Sequence, residues 1–223
     1  MREYKYELHC HTSDVSFCAS SSAVEAVEYY KSRGYDGIVI TDHYSPQTFV
    51  LHRALMPQKY TKHYLKGYER ALAAAGDDFT VLLGCEVRFL FTIDDFLIYG
   101  IDEDFLKSNG NLMIKYLKRL FKLCDKNKLI LLEAHPFRKL RFRHTPKYLH
   151  GCEIYNGKDK GTDANDKARA WAEKCGFKIV SAGGDFHNKK KTNPSGIITK
   201  EPIKTNDDLL RILRSGEFRV IED

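Results

Sequence analysis

Glu7, Leu8, His9, Cys10 and His11 stand together near the start of the chain, followed by Thr12, Ser13 and Asp14. At the end of a β-strand successive side chains alternate, so Glu7, His9 and His11 share one face while Leu8 and Cys10 take the other. Two imidazoles two residues apart on a strand face can hold one metal ion, a spacing that serves no amphipathic helix. Alone, such a pair is a weak signal, because surface and hydrogen-bonded histidines are common. It gains weight from later places where an apolar run leads into metal-binding residue types: Asp42 and His43, Glu86, His135, and Asp185 with His187.

The runs that must position these residues alternate with helical patterns. Residues 4–10, 37–41, 80–84, 95–100, 128–132, 151–155, 177–182, 196–198 and 218–221 read as strands, several of them the continuous apolar type of a buried parallel sheet. Helices are expected from about 22 to before Gly34, with Ser21 as cap, and over 57–75, 112–124, 163–175 and 205–214. The stretch from Phe137 to Pro146 reads as a loop. Strand and helix in turn argue for a parallel sheet, open or closed into a barrel. In a closed barrel the carboxyl ends of the strands share one face, where residues distant in sequence meet.

Composition bounds the rest. The 223 residues are enough for one sizeable core and suit a single α/β domain over 1–223. A net charge of +6 from 36 basic and 30 acidic residues favours anionic small molecules without demanding nucleic acid. The six cysteines form no Cys-x-x-Cys pair, and the first residues lack an apolar signal core, which reads as a reducing, cytoplasmic setting. No apolar run approaches the ~18 residues of a membrane span. Cys10, Cys85 and Cys152 each adjoin a candidate residue and should turn away from it into packing.

Glu-Leu-His-Cys-His-Thr-Ser at 7–13, Ile-Thr-Asp-His at 40–43, Gly-Cys-Glu at 84–86, Ala-His-Pro-Phe-Arg at 134–138 and Gly-Asp-Phe-His at 184–187 together resemble the PHP family, named for polymerase and histidinol phosphatase. The likeness extends along essentially the whole chain, in the manner of small stand-alone bacterial PHP proteins. It implies a distorted (β/α)7 TIM-like barrel, two or three divalent metal ions (zinc, manganese or iron) at the carboxyl ends of its strands, and phosphoester hydrolysis. Carried over by position, His9, His11 and Asp185 would bind a first ion. Glu86 would bridge it to a second held by His135, His43 and His187 would bind a third, and Asp42 would orient a ligand or a water. Ser16 and Phe17 stand where many relatives have a further His or Asp, leaving Asp14 as the nearest substitute. After Glu86 the chain offers Asp94 and Asp95 where many relatives have a histidine.

The residues themselves agree with that chemistry. Imidazoles with carboxylates suit zinc, manganese or iron without choosing among them. A carboxylate such as Glu86, shared by two cations, places them where a common water can lose its proton near neutral pH and attack phosphorus. Arg138, three residues past His135, is placed to fork onto a phosphate, with Arg88, Lys158, Arg141 and Arg143 as weaker candidates. Glu7 is either a carboxylate orienting a ligand or a surface acid. Glu153 and Asn156 could reach the pocket, although Asn156 before Gly157 is equally a turn residue. His52, His63, His144 and His150 read as surface or core histidines. The expected partner is a small anionic phosphate ester. A nuclease acting on nucleic-acid ends is the alternative, and would want a long basic track of which Arg138 to Arg143 is a fragment. A metal-holding scaffold without turnover is the third reading.

Overall fold

The buried-type apolar runs become the central strands. The computed structural model, which describes residues 2–51, 57–138 and 146–222, opens with β1 (Tyr4–Cys10), α1 (Ala23–Lys31), β2 (Gly37–Ile40) and the two-residue β3 (His43–Tyr44). Helices α2 (Pro46–Leu51), α3 (Pro57–Tyr64) and α4 (Lys66–Ala75) lead to β4 (Thr80–Arg88) and β5 (Asp95–Tyr99). Then come α5 (Glu103–Asn109), α6 (Tyr116–Lys126), β6 (Ile130–Glu133), β7 (Gly151–Asn156), α7 (Ala164–Cys175) and β8 (Ile179–Gly183). The chain ends with β9 (Gly196–Thr199), α8 (Asn206–Ser215) and β10 (Phe218–Ile221).

Hydrogen bonding joins the strands in the order β10-β9-β1-β2-β4-β5-β6-β7-β8, with β3 attached to β4. The end of the path returns to its middle: Phe186, just past β8, donates to His9 O at 3.0 Å, and His11 donates to Phe186 O at 2.9 Å. The sheet is thus a nearly closed barrel. It departs from a plain sevenfold β/α repeat, because β5 runs antiparallel to both β4 and β6, and β9 runs antiparallel to β1.

Three apolar clusters fill the space around the sheet. Tyr6, Leu8, Val39, Leu82, Leu97 and Leu132 pack with Leu209, Ile212 and Leu213 of α8, and each such aliphatic side chain taken out of water contributes ~1.5–3 kcal/mol. Ala26, Val27 and Tyr30 of α1 meet Ala71 and Ala75 of α4 over Ile38 and Ile40. Tyr60, Tyr64 and Leu120 cover Val87 and Phe96.

Local differences from the sequence reading have physical causes. Ser22, not Ser21, caps α1, because Glu25 stands three residues after it and closes a reciprocal capping box. The helical pattern over 57–75 divides at Leu65 into α3 and α4. Strand β4 continues past Gly84 to Arg88, so Glu86 lies within a strand and pairs with His43 of β3. His52, Arg141, Arg143 and His144 lie outside the described residues. Among those described, no helix is long and apolar enough to cross a membrane.

Candidate metal centre

Parallel strands bring the candidate residues to one mouth. His9 comes from β1, His43 from β3, Glu86 from β4, His135 from just past β6, and Asp185 and His187 from the loop after β8. Two of them sit in the left-handed backbone region, His135 at φ 31° and Asp185 at φ 51°. That conformation costs a non-glycine residue about 1–3 kcal/mol and persists where the surroundings enforce it. Close approach of β8 to β1 requires glycine at 183, since a Cβ there would lie 2.3 Å from that of His9.

Glu86 is the hub. Its Oε2 lies 2.6 Å from His43 Nδ1 and 3.4 Å from His11 Nε2, and its Oε1 lies 3.0 Å from His135 Nε2 and 3.3 Å from His9 Nε2. Asp185 Oδ1 stands 3.3 Å from His11 Nε2 and 3.6 Å from His9 Nε2, while those two ring nitrogens are 3.0 Å apart. Among the described residues, four overlapping sets have ligand atoms mutually within 4.8 Å: His9, His11 and Asp185; His9, Glu86 and His135; His11, His43 and His187; and His43, Glu86 and Asp95.

Supporting carboxylates fix the rings. Glu153 Oε1 faces His9 Nδ1 at 2.9 Å, and its Oε2 accepts from the His135 backbone N–H and from Asn156 Nδ2, each at 2.9 Å. Asn156 therefore reaches the site and also caps the turn after β7 through Lys158 N–H. Glu7 is no surface acid: it is fully buried and accepts from His9 N, Gly184 N and the Tyr30 hydroxyl. Asp42 stands one layer behind the mouth, accepting from Thr12 N–H, the Thr12 hydroxyl and the Ser16 hydroxyl at 2.6–2.8 Å; Ser16 Oγ in turn lies 3.4 Å from His11 Nδ1. Asp42 thus positions the loop that carries His11.

Asp14 does not join the others. Its carboxylate, nearly buried in the loop ahead of α1, accepts from Ala23 N–H and pairs with Arg70. Of the five cations expected at a phosphate, Arg88, Arg138 and Lys158 line a cavity of about 620 Å³ with His43, His135, Asp185 and His187, but the two arginines are committed to protein partners. Arg88 forks onto Asp95 at 2.6 and 2.7 Å. Arg138 bonds Asp159, Asp185 and Asn156, which occupies both edges of its guanidinium and holds Asp185 in place. Lys158 Nζ lies 3.0 Å from His187 Nδ1 and 3.5 Å from Asp185.

The cavity also exposes Cys18, which sequence reasoning passed over. Cys18 Sγ lies 3.0 Å from His187 Nε2, and Lys191, Asn188 and Thr192 line the wall beside it. Asp95, one of the two acids offered in place of a histidine after Glu86, begins a strand instead of ending one. Cys10, Cys85 and Cys152 are buried in packing as expected, and His150 Nδ1 accepts Leu131 N–H in the scaffold.

The electrostatics are those of a crowded buried cluster. Burial alone would raise the Glu86 carboxyl, yet the charges of His43 and His9 hold it well below the usual range. Asp185 is likewise depressed against its burial, by His9 and Arg138. Burial opposes protonation of His43 and His187, but Glu86 lifts the first to about 10 and Asp185 lifts the second to about 9. His11 falls well below its ordinary value through burial, then repulsion from His43 and His187. Burial raises Glu7 to about 7 and Asp42 to about 6. Burial would also raise the Cys18 thiol, but His187 and His43 bring it down to about 6.

A divalent cation fits this donor set. Glu86 Oε2, His43 Nδ1 and His135 Nδ1 are buried with no hydrogen-bond partner, and unsatisfied polar atoms at such density call for an ion or a ligand. Without one, protons on the imidazoles balance the buried carboxylates. Metal loading near neutral pH is therefore expected to release at least one proton per chain, because ligating imidazoles must be neutral. Titration calorimetry in buffers of different ionisation enthalpy measures this, and buffer-independent heats would contradict it. The sign is definite: His43 is raised from 6.5 to about 10, so its pairing with Glu86 stabilises the metal-free protein fully below pH 6.5. That contribution is lost as pH rises through about 10, while metal affinity climbs over the same window.

No family model matches the chain, and no curated protein matches it. Solved structures do. A two-domain protein from Bacteroides vulgatus containing a predicted PHP-like metal-dependent phosphoesterase aligns with a TM-score of 0.66 at 14% identity, over 99% of this chain and 65% of its own. An amidohydrolase from Chromobacterium violaceum aligns at 0.60 with 15% identity, over 98% of both chains. A lesion-specific endonuclease from Pyrococcus furiosus aligns at 0.62 with 12% identity, over 98% of this chain and 58% of its own. The chain thus spans less than two thirds of the first and third of these proteins, and the likeness at such identities is one of fold.

Proposed function

We propose that this chain is a metal-dependent phosphoesterase acting on a small phosphate monoester or nucleotide. The observation that carries the reading is the meeting of five imidazoles with Glu86, Asp95 and Asp185 in four overlapping ligand sets beside a cavity lined by Arg88, Arg138, Lys158 and Lys191. His9, His11 and Asp185 would hold one ion, Glu86 would serve this ion and a second with His135, and His43 with His187 would face a third. Such ions, when bound, supply the positive charge that activates water and offsets charge growing on the phosphoryl oxygens.

The protein's own groups do the rest. Glu153 holds the His9 ring by its Nδ1, leaving Nε2 toward the mouth. Arg138 keeps Asp185 oriented and adds fixed positive charge to the cavity wall. Lys158, on a flexible stem and with its side chain 41% exposed, can turn its ammonium from His187 to a phosphoryl oxygen.

The two basic residues should separate in kinetics. Lys158→Ala is expected to raise KM about tenfold with little change in kcat, the worth of one charge-assisted hydrogen bond. Arg138→Ala should lower kcat as well, since it releases Asp185. Steady-state assays on one substrate check both, and an unchanged KM in the Lys158 variant would remove that residue from substrate binding. The reaction class is tested by a metal-supplemented panel of phosphate esters that includes histidinol phosphate, nucleotides and short oligonucleotides. Turnover of monoesters supports the reading. Preferential cleavage of oligonucleotides would replace it with a nuclease, and no turnover by metal-loaded protein would leave a scaffold.

A further inference from the structure

The set formed by His11, His43 and His187 differs from the other three, each of which contains a carboxylate. It is built of imidazoles alone, so a cation there lacks an anionic donor of its own. Beside it lies Cys18, in the loop between β1 and α1, with Sγ 3.0 Å from His187 Nε2. The loop is tied to the chain around His187. Ser20 N–H donates to His187 O at 2.8 Å, Ser21 N–H donates to the same oxygen at 3.2 Å, and Asn188 Nδ2 donates to Ser20 Oγ at 2.7 Å. Nearby, the fully buried Glu86 Oε2 has no hydrogen-bond partner although it lies 2.6 Å from His43 Nδ1.

We propose that Cys18 supplies a thiolate sulfur to the cation that His43 and His187 face, making this edge of the centre a mixed imidazole and sulfur site. The inference rests on the metal-centre reading above and adds to it a donor and a preference. On binding, the thiol proton passes to solvent and the sulfur takes its place in the ion's coordination. A thiolate favours zinc and cobalt over manganese, whereas the imidazole and carboxylate sets accept all three. Cys18 is also set apart by place: Cys10, Cys85, Cys124 and Cys152 are buried, and Cys18 is exposed at the cavity.

Cobalt(II) titration of the full, reduced chain tests this by a readout independent of turnover. The wild type should develop sulfur-to-cobalt charge-transfer absorption in the near ultraviolet together with visible ligand-field bands. Cys18→Ser should keep the visible bands and lose the charge-transfer band, and its zinc affinity at one site should fall by about 10–100-fold. Circular dichroism of the variant checks that it is folded, and Cys18→Ala should behave alike. Visible bands without charge transfer in the wild type, or charge transfer that persists in Cys18→Ser, would overturn the sulfur assignment while leaving the metal centre standing. Absence of any cobalt spectrum would overturn both.

Discussion

Glu86→Ala is expected to strip most bound metal from the chain and to lower phosphoester turnover by about three orders of magnitude, corresponding to ~4 kcal/mol of lost transition-state stabilisation. It faces four candidate ligands at once: His9, His11, His43 and His135 all lie within 3.4 Å of its two oxygens. Its removal also leaves protonated His9 and His43 without the carboxylate that faces them both. Taking away one partner of a buried ion pair destabilises by about 3–5 kcal/mol, so the metal-free variant should melt earlier. Glu86→Gln keeps the volume and separates the two effects. Elemental analysis of purified protein, beside a thermal melt, reads both, and a variant that retains full metal content would remove Glu86 from the centre.

The second large effect belongs to a residue that touches no proposed ion. Glu153→Gln should weaken metal binding and lower turnover by about 10–100-fold, the usual cost of losing an outer partner of a ligating histidine. The reason is a count of donors and acceptors. Both Glu153 oxygens accept, one facing His9 Nδ1 and the other taking His135 N–H and Asn156 Nδ2. A glutamine must turn its NH2 toward one of these sides and clash with the donors there. Zinc titration against a competing chelator measures the affinity. Wild-type affinity in the variant would mean that packing, and not this hydrogen bond, sets the His9 ring.

Much of this centre was legible in the chain because the signal is positional. His9, His43, Glu86, His135, Asp185 and His187 lie in or just beyond strands, and a barrel gathers such places at one mouth. The direction of β5 was less visible, because an apolar strand pattern carries no sign. Yet only six residues, 89–94, separate Arg88 from Asp95, too few for the crossover that parallel neighbours need. That spacing held the information, and the antiparallel turn it dictates is what delivers Asp95 to the mouth. The loop after β1 was the least legible part. Asp14 and Cys18 sit three and seven residues past His11, and which of them faces the cavity depends on hydrogen bonds to residues far along the chain. Arg70 and Ala23 turn Asp14 away, while the contacts of Ser20 and Ser21 with His187 bring Cys18 in. Arg138 shows a similar limit. Its place beside His135 marked it as a phosphate clamp, but its three protein partners make it first a support for Asp185.

On the proposed reading, side chains from both ends of the polypeptide share cations in one mouth. Anomalous X-ray diffraction from crystals loaded with zinc or manganese tests it most directly. Peaks are expected between His9, His11 and Asp185, between Glu86 and His135, and beside His43 and His187, with no comparable peak elsewhere on the chain. A map from metal-loaded protein with no peak among these residues, or with its strongest peak at another place, would contradict the account.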